Sequence, residues 1–198
     1  VQASLAAGKH VITANKAMLA AHAEALSELS VNRQGTWVPL AYEAAVAGGI
    51  PVIKTLREGL AGNQINRLAG ILNGTCNYIL TRMEEAKLSF EDALLEAQDK
   101  GFAEADPALD VSGVDAAQKL SILSALAFGL APDYSAMQVD GIEAICAQDI
   151  SFAGQFDCVI RLVGVTQMEN GSVYQRVTPM LVRRGNNLAQ VRHELNAI

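Results

Sequence analysis

The chain has 198 residues, of which 51% are hydrophobic and 18% are charged, and its net charge is −6. This length and composition fit one domain or slightly more with a sizeable core, and they exclude an intrinsically disordered chain. The acidic balance argues against a nucleic-acid-binding protein, which needs a basic face. Cys76, Cys146 and Cys158 form no C-x-x-C pair, which disfavours a disulfide framework or a zinc site and favours a cytoplasmic protein. No apolar run approaches the roughly 18 residues of a membrane helix.

Hydrophobic periodicity, cap residues and turn residues predict the elements along the chain. Strands are predicted at 10–14, at 35–45, at 63–75 (running into a turn), and at 157–182 (two strands joined at Glu169-Asn170-Gly171). Helices are predicted at 16–32 (capped by Asn15), from Pro51, at 76–86, at 89–101, up to about Gly129, at 149–156 and at 186–198. Because helices and strands do not alternate steadily, this order predicts an α+β fold with a mixed β-sheet.

Residues 101–119 (GFAEADPALDVSGVDAAQK) carry most of the chemical interest, because they combine four carboxylates with a single lysine. The five side chains are Glu104, Asp106, Asp110, Asp115 and Lys119. A calcium loop of the EF-hand type would need an oxygen donor at its third position and glycine at its sixth. Counted from Asp106, those positions are Ala108 and Val111, so a metal loop is disfavoured.

Two other interpretations of this stretch remain open on the residues alone. In the first, Ser112-x-x-Asp115 forms a capping box, and Asp115 and Lys119 form an i, i+4 surface pair of small energetic value. In the second, Lys119 opens a helix that is apolar nearly all round and therefore lies near the core, where it needs carboxylate partners and can serve in acid–base chemistry. The remaining carboxylates would then suit the ammonium group of a small substrate.

Four motifs occur in a specific order along the chain. They are GKHVITANK (8–16), AYEAAVAGGIPVI (41–53), LAGILNGTCNYIL (68–80) and GFAEADPALDVSGVDAAQKL (101–120). Together they resemble homoserine dehydrogenase, and the resemblance runs over most of the chain. It implies the reversible reduction of aspartate 4-semialdehyde to homoserine with NAD(P)H, in the biosynthesis of threonine and methionine. It also implies a mixed sheet with helices packed on one face, a small amino-acid substrate, and a homodimer or higher oligomer without nucleic-acid or membrane partners.

The resemblance assigns roles to individual residues of this sequence. Catalytic roles fall on Lys119, Lys16 and Asp115. Substrate binding falls on Glu104, Asp110, Asp115, Gly74 and Thr75. The nicotinamide would lie beside Asn15 and Lys16. A monovalent cation, Na⁺ or K⁺, would be held by the carboxylate of Glu43 and the backbone carbonyls of Val46, Gly48 and Ile50. Phe102 stands where many family members carry tyrosine, which removes any contact through that hydroxyl.

The implied chemistry suits the lysines. Hydride addition to an aldehyde places negative charge on oxygen, and a nearby ammonium group can stabilise this charge and donate a proton. Lys119 is the first candidate for that role and Lys16 the second. Without the resemblance, Lys16 would be more typical of a solvated first-turn lysine, and Glu43 of a satisfied carboxylate.

No G-x-G-x-x-G motif follows a strand in this chain. The resemblance therefore implies that residues 1–35 are a remnant of a Rossmann-type dinucleotide-binding domain and that residues 36–198 form the catalytic and dimerisation domain. We expect the sequence to be a piece of a longer enzyme and the isolated polypeptide to be inactive or nearly so. The competing hypothesis is a non-catalytic dimerisation or scaffold module whose acid-rich stretch is only a helix cap.

Overall fold

A computed structural model describes residues 1–29 and 37–198. Its helices are α1 (Gln2–Ala6), α2 (Lys16–Leu29), α3 (Val52–Lys54), α4 (Gly74–Glu85), α5 (Phe90–Asp99), α6 (Ala108–Val111), α7 (Val114–Phe128) and α8 (Ala147–Gln155). Its strands are β1 (Val11–Ile12), β2 (Leu40–Ala41), β3 (Arg67–Gly70), β4 (Gln138–Val139), β5 (Cys158–Glu169) and β6 (Ser172–Arg183). None of the helices in these two ranges combines the length and the hydropathy that crossing a bilayer requires.

The chain divides into two compact units. The first contains residues Val1–Asn66 and Gln118–Ala136, and the second contains Arg67–Ala117 and Met137–Ile198. Helix α7 contributes its first residues to the second unit and the remainder to the first. The domain boundary predicted between residues 35 and 36 lies outside the described residues and stays a prediction.

The first unit contains a β-α-β arrangement. Strands β1 and β2 pair in parallel, with Val11 opposite Leu40, and α2 lies between them in the chain. The predicted cap is confirmed, because Asn15 Oδ1 accepts a hydrogen bond from the backbone N–H of Met18 at 2.9 Å. The second strand is much shorter than the predicted 35–45, since a 3₁₀ turn already begins at Glu43.

The second unit is built on a mixed four-stranded sheet in the order β3-β5-β6-β4. The β3–β5 and β5–β6 pairs are antiparallel, whereas β4 pairs with β6 in parallel. Helices α4 and α8 both contact β5, whose residues are buried from Cys158 to Thr166. Apart from Arg161 and Thr166 this stretch is apolar, as is typical of a strand buried on both faces. The predicted α+β fold with a mixed sheet is thereby confirmed.

The predicted hairpin between β5 and β6 is also confirmed. Asn170 and Gly171 have φ values of 51° and 80°, so both occupy the left-handed region that a two-residue type I′ turn demands. The turn sets the register, in which Glu169 lies opposite Ser172 and Cys158 lies opposite Arg183.

The helix predicted at 186–198 is wrong. A 3₁₀ turn covers Asn187–Gln190, and the chain then runs to an antiparallel bridge between Ala197 and Ile71. The physical reason is a competing set of tertiary hydrogen bonds. The Asn77 side-chain amide donates to the carbonyls of Val191, His193 and Leu195 at 2.9–3.2 Å, so these groups are satisfied without a helix.

A buried ion pair fastens α4 to β5. Arg161 of β5 is 0% exposed and donates to the Glu84 carboxylate at the end of α4, at 3.4 Å. Burial lowers the pKa of Arg161, although Glu84 acts in the opposite direction. Arg184 approaches the other oxygen of Glu84 at 2.8 Å. Removal of either partner would leave the other charge buried without compensation, so replacing Glu84 or Arg161 alone should destabilise the contact between α4 and β5.

Candidate functional site

The side chain of Asn73 joins two carboxylates that are distant in the sequence. Strand β3 and the buried Ile71 and Leu72 lead to Asn73, which caps α4 by accepting a hydrogen bond from the N–H of Cys76 at 2.7 Å. The cap fixes the orientation of the amide. Its Nδ2 then donates to Asp110 Oδ1 and to Asp115 Oδ2, both at 2.8 Å. One neutral amide thus holds two anionic groups side by side.

The predicted capping box at Ser112-x-x-Asp115 is wrong. Ser112 has helical backbone angles and ends α6, and α7 begins at Val114. Gly113 lies between the two helices with a φ of 83°, a conformation that favours glycine. Asp115 lies in the first turn of α7 and is only 7% exposed. It is therefore a buried carboxylate bonded to Asn73, and not the exposed member of a surface pair.

Thr75 connects the first turn of α4 to the acid-rich loop. Its hydroxyl donates to the carbonyl of Phe102 at 2.6 Å and lies 3.4 Å from Asp110 Oδ2. Gly74 has a separate structural reason for being glycine. A Cβ at this position would lie 2.5 Å from the carbonyl oxygen of Glu194, so the C-terminal segment packs directly against the turn.

Glu104 lies in the same loop, between α5 and α6, and is exposed. Across residues 1–29 and 37–198, no hydrogen-bond or ion-pair partner of its carboxylate occurs. Its backbone is held, since Gln98 Nε2 donates to the Glu104 carbonyl at 3.0 Å. The structure therefore brings Asn73, Thr75, Asp110 and Asp115 into contact, and Glu104 lies near them in the chain with an exposed carboxylate.

A polar network connects α4 and α5 next to this loop. The Glu96 carboxylate accepts hydrogen bonds from Lys100 Nζ at 2.6 Å, from the Tyr78 hydroxyl at 2.6 Å and from Arg82 Nε at 3.1 Å. These donors lower the pKa of Glu96 to about 2, with the Lys100 hydrogen bond as the largest cause. The Tyr78 ring packs against Phe102, with centroids 4.9 Å apart.

The first compact unit contains the predicted nicotinamide and lysine positions. Asn15 and Lys16 lie where β1 ends and α2 begins, which is the end of a parallel strand at which α/β folds bind ligands. Lys119 lies on α7, one turn after Asp115, and is half-buried, as expected. Both lysines have interaction partners.

The residues predicted to hold a cation are close in the chain around the 3₁₀ turn at Glu43. Both carboxylate oxygens of Glu43 accept backbone N–H groups, from Ile53 and from Lys54, at 2.9 Å each. The Ile50 carbonyl accepts one hydrogen bond from Val52 at 2.8 Å. Oxygens that accept a single hydrogen bond keep a second lone pair, so an all-oxygen donor set suits a hard monovalent cation.

Sequence reasoning missed two contributors to this geometry. Asn73 was recognisable as a turn former. Its amide, however, donates hydrogen bonds to Asp110 and Asp115, which lie 37 and 42 residues further along the chain, and no local pattern reveals such partners. Gln98 carried no signal beyond its place near the end of a predicted helix. The carboxylates of residues 101–119 were recognisable as site candidates, because four acids are more than the single lysine of this stretch needs as charge partners.

Comparison with known proteins gives a consistent result. The homoserine dehydrogenase family model matches residues 51–198. A homoserine dehydrogenase of Neisseria gonorrhoeae is 45% identical over 191 residues, covering 96% of this chain and 43% of the relative. The Bacillus subtilis enzyme is 42% identical over 195 residues, covering 98% and 44%. The chain thus spans less than half the length of the curated relatives it matches.

Solved structures agree with the sequence matches. A crystal structure of a homoserine dehydrogenase from Thiobacillus denitrificans superposes with a TM-score of 0.93 at 42% identity, covering 98% of this chain and 44% of that one. A homoserine dehydrogenase from S. aureus at pH 7.5 superposes with a TM-score of 0.83 at 40% identity, covering 98% and 46%.

Proposed function

The chain belongs to the homoserine dehydrogenase family, and we propose that it carries the substrate-binding half of an active site that interconverts L-aspartate 4-semialdehyde and L-homoserine with NAD(P)H. The observation that supports this most strongly is the Asn73 amide, which holds Asp110 and Asp115 together. The parent enzyme would act in the cytoplasm, in threonine and methionine biosynthesis.

The carboxylates of Glu104, Asp110 and Asp115 would bind the ammonium group of the amino-acid substrate. Charge-assisted hydrogen bonds to a carboxylate are roughly twice as strong as neutral ones. Asp115 is buried and oriented by Asn73, so it needs no reorganisation when an ammonium group arrives. Glu104 contributes a carboxylate that is exposed to solvent. Gly74 and Thr75 would contribute from the first turn of α4, where the Thr75 hydroxyl lies 3.4 Å from Asp110 Oδ2.

Lys119 and Lys16 are the candidates for proton transfer to the reacting oxygen of the substrate. The bound nicotinamide would supply or accept the hydride. Lys119 would donate a proton to the aldehyde oxygen in the reducing direction and stabilise the negative charge that develops there. Asp115, one turn earlier in α7, would help to orient Lys119. Lys16 is the alternative donor, because it follows Asn15 at the predicted nicotinamide position.

The cofactor and cation assignments rest on donor chemistry. Asn15 and Lys16 fit a nicotinamide, because they lie at the carboxyl end of a parallel strand, where α/β folds bind such groups. The chain contains no G-x-G-x-x-G fingerprint for the pyrophosphate. Glu43 with the carbonyls of Val46, Gly48 and Ile50 would hold Na⁺ or K⁺, as the oxygen donor set allows.

We also propose that two copies associate through an apolar face of the second unit. Phe152, Phe156 and Leu181 are 48%, 74% and 62% exposed and line one groove of about 260 Å³. Homo-oligomers usually pair identical surfaces around a two-fold axis. Leu181→Asp should convert the full-length dimer into monomers in sedimentation, whereas Leu95→Asp, at a similarly exposed leucine of α5, should not. A monomeric wild-type enzyme would contradict the proposal.

The enzymatic proposal is tested on the full-length enzyme by following homoserine oxidation with NAD⁺ and with NADP⁺. Asp115→Asn should raise the KM for homoserine about 10- to 100-fold, the range expected for one charged hydrogen bond. The matched control is Asp106→Asn. Asp106 is an exposed aspartate of the loop between α5 and α6, and it accepts only a local hydrogen bond from the backbone N–H of Ala108. Absence of homoserine oxidation by the wild-type enzyme would favour the non-catalytic module.

A further inference from the structure

The acid-rich loop leaves α5 through a sharp reversal. Gly101 has a φ of 76°, and the N–H groups of Phe102 and Ala103 both donate to the carbonyl of Ala97, at 2.8 and 3.2 Å. This is the left-handed ending common to helices that close on glycine. As a result the loop folds back along the last turn of α5, where Gln98 is located.

The Gln98 side chain is bonded to this returning loop. Its Nε2 donates to the carbonyl of Glu104 at 3.0 Å and to that of Ala105 at 3.4 Å. On the other side, the Thr75 hydroxyl donates to the carbonyl of Phe102 at 2.6 Å. The loop backbone is therefore fixed at two points, one on α5 and one on the first turn of α4.

Glu104 depends on these two attachments. Its side chain is exposed, and its carboxylate contacts no partner within the described parts of the chain. No side-chain contact among the described residues holds the carboxylate, so the two attachments position only the backbone from which it projects. A loop that is not fixed beforehand must be ordered when the ligand binds, and the entropy of ordering reduces affinity.

On the basis of the function proposed above, we propose that Gln98 is a positioning residue that fixes Glu104 for binding the substrate's ammonium group. Gln98 does not itself touch the substrate. It keeps the backbone of Glu104 in one conformation, so that only the side chain has to be ordered when the substrate binds. Loss of its amide should weaken substrate binding and leave the chemical step nearly unchanged.

The test uses steady-state kinetics of the full-length enzyme. Gln98→Met keeps the length of the side chain and removes both N–H donors. We expect it to raise the KM for homoserine about 5- to 20-fold, as for the ordering of about one backbone residue, with kcat changed less than about 2-fold. Asp99→Asn, at the exposed neighbouring position, is the matched control and should change neither constant. A Gln98→Met enzyme with a lower Tm and an unchanged KM would overturn the proposal.

A double-mutant cycle separates this inference from the function on which it rests. If Gln98 acts through Glu104, Gln98→Met should have little further effect on KM once Glu104→Gln is present. An undiminished effect in that background would overturn the positioning role. If Glu104→Gln raises KM but Gln98→Met does not, only the positioning role fails. If Glu104→Gln leaves KM unchanged, the proposed ammonium-binding role of Glu104 fails as well.

Discussion

Replacing Asn73 by aspartate changes one NH₂ group into an oxygen and makes a sharp test of the site. The cap on α4 is retained, because a carboxylate oxygen can still accept the Cys76 N–H. The two donated hydrogen bonds are lost. In their place a third carboxylate faces Asp110 and Asp115 at the positions where the amide nitrogen is now 2.8 Å away.

The size of the effect follows from the charges. Two like charges about 4 Å apart repel by about 4 kcal/mol at an effective dielectric constant of about 20, so two neighbours cost roughly 8 kcal/mol. This is comparable to the whole stability of a domain, about 5–15 kcal/mol. The variant should therefore bind a proton near neutral pH to relieve the repulsion. Asn73→Ser loses the same donors without adding charge, which should cost roughly 3–6 kcal/mol for two charged hydrogen bonds.

The two variants should differ in their pH dependence. A carboxyl whose pKa is higher in the folded than in the unfolded state destabilises the fold increasingly as the pH rises through the folded pKa. Urea unfolding followed by circular dichroism should therefore show Asn73→Asp less stable than Asn73→Ser at pH 8 by up to about 6 kcal/mol, which is roughly the free energy needed to protonate an ordinary aspartate at that pH. The difference should shrink towards pH 5. Equal stabilities at pH 8 would refute the arrangement of the two carboxylates around Asn73.

Further substitutions test other parts of the molecule. Lys119→Ala in the full-length enzyme should lower kcat by about 10²- to 10⁴-fold with an unchanged circular dichroism spectrum, and an unchanged kcat would remove Lys119 from the mechanism. Glu96 has a pKa of about 2 against an ordinary value of 4.5, so its contribution to stability is present above pH 4.5 and is lost as the pH falls towards 2. Glu96→Gln should therefore lower the Tm at pH 7 but hardly at pH 2, and an equal loss at both would contradict the network. The 198-residue polypeptide alone should show no measurable NAD(P)⁺-dependent oxidation of homoserine, because it has no pyrophosphate-binding fingerprint, and robust turnover would disprove this.

Local signals predicted most of the second unit. Ser89 caps the helix predicted at 89–101 by accepting the N–H of Asp92, and Asn170-Gly171 forms the predicted hairpin turn. Both features depend on residues within a few positions of one another, which a sequence displays directly. The failures involve distant partners. The helix predicted at 186–198 does not form, because the Asn77 side-chain amide donates hydrogen bonds to the carbonyls of Val191 and Leu195, which lie 114 and 118 residues away in the chain.

The same difference between local and distant signals applies to the candidate site. The excess of acid in residues 101–119 left a helix cap and a binding role both open, and the motif order was what indicated the family. The neighbours of each carboxylate were not predictable, because Asn73 and Asp115 lie 42 residues apart and meet only through the fold. Asp115 was expected in a capping box, yet Gly113 occupies the position before α7 and leaves Asp115 to bond with Asn73.

The central claim is that the carboxylates gathered at Asn73 bind the ammonium group of homoserine and that Lys119 serves the reacting oxygen. A crystal structure of the full-length enzyme with homoserine and an oxidised nicotinamide cofactor tests this most directly. We expect the ammonium group within hydrogen-bond distance of Glu104, Asp110 or Asp115, and the hydroxyl oxygen within hydrogen-bond distance of Lys119 or Lys16. Homoserine with its ammonium group remote from Glu104, Asp110 and Asp115, and with its hydroxyl remote from both lysines, would contradict the claim.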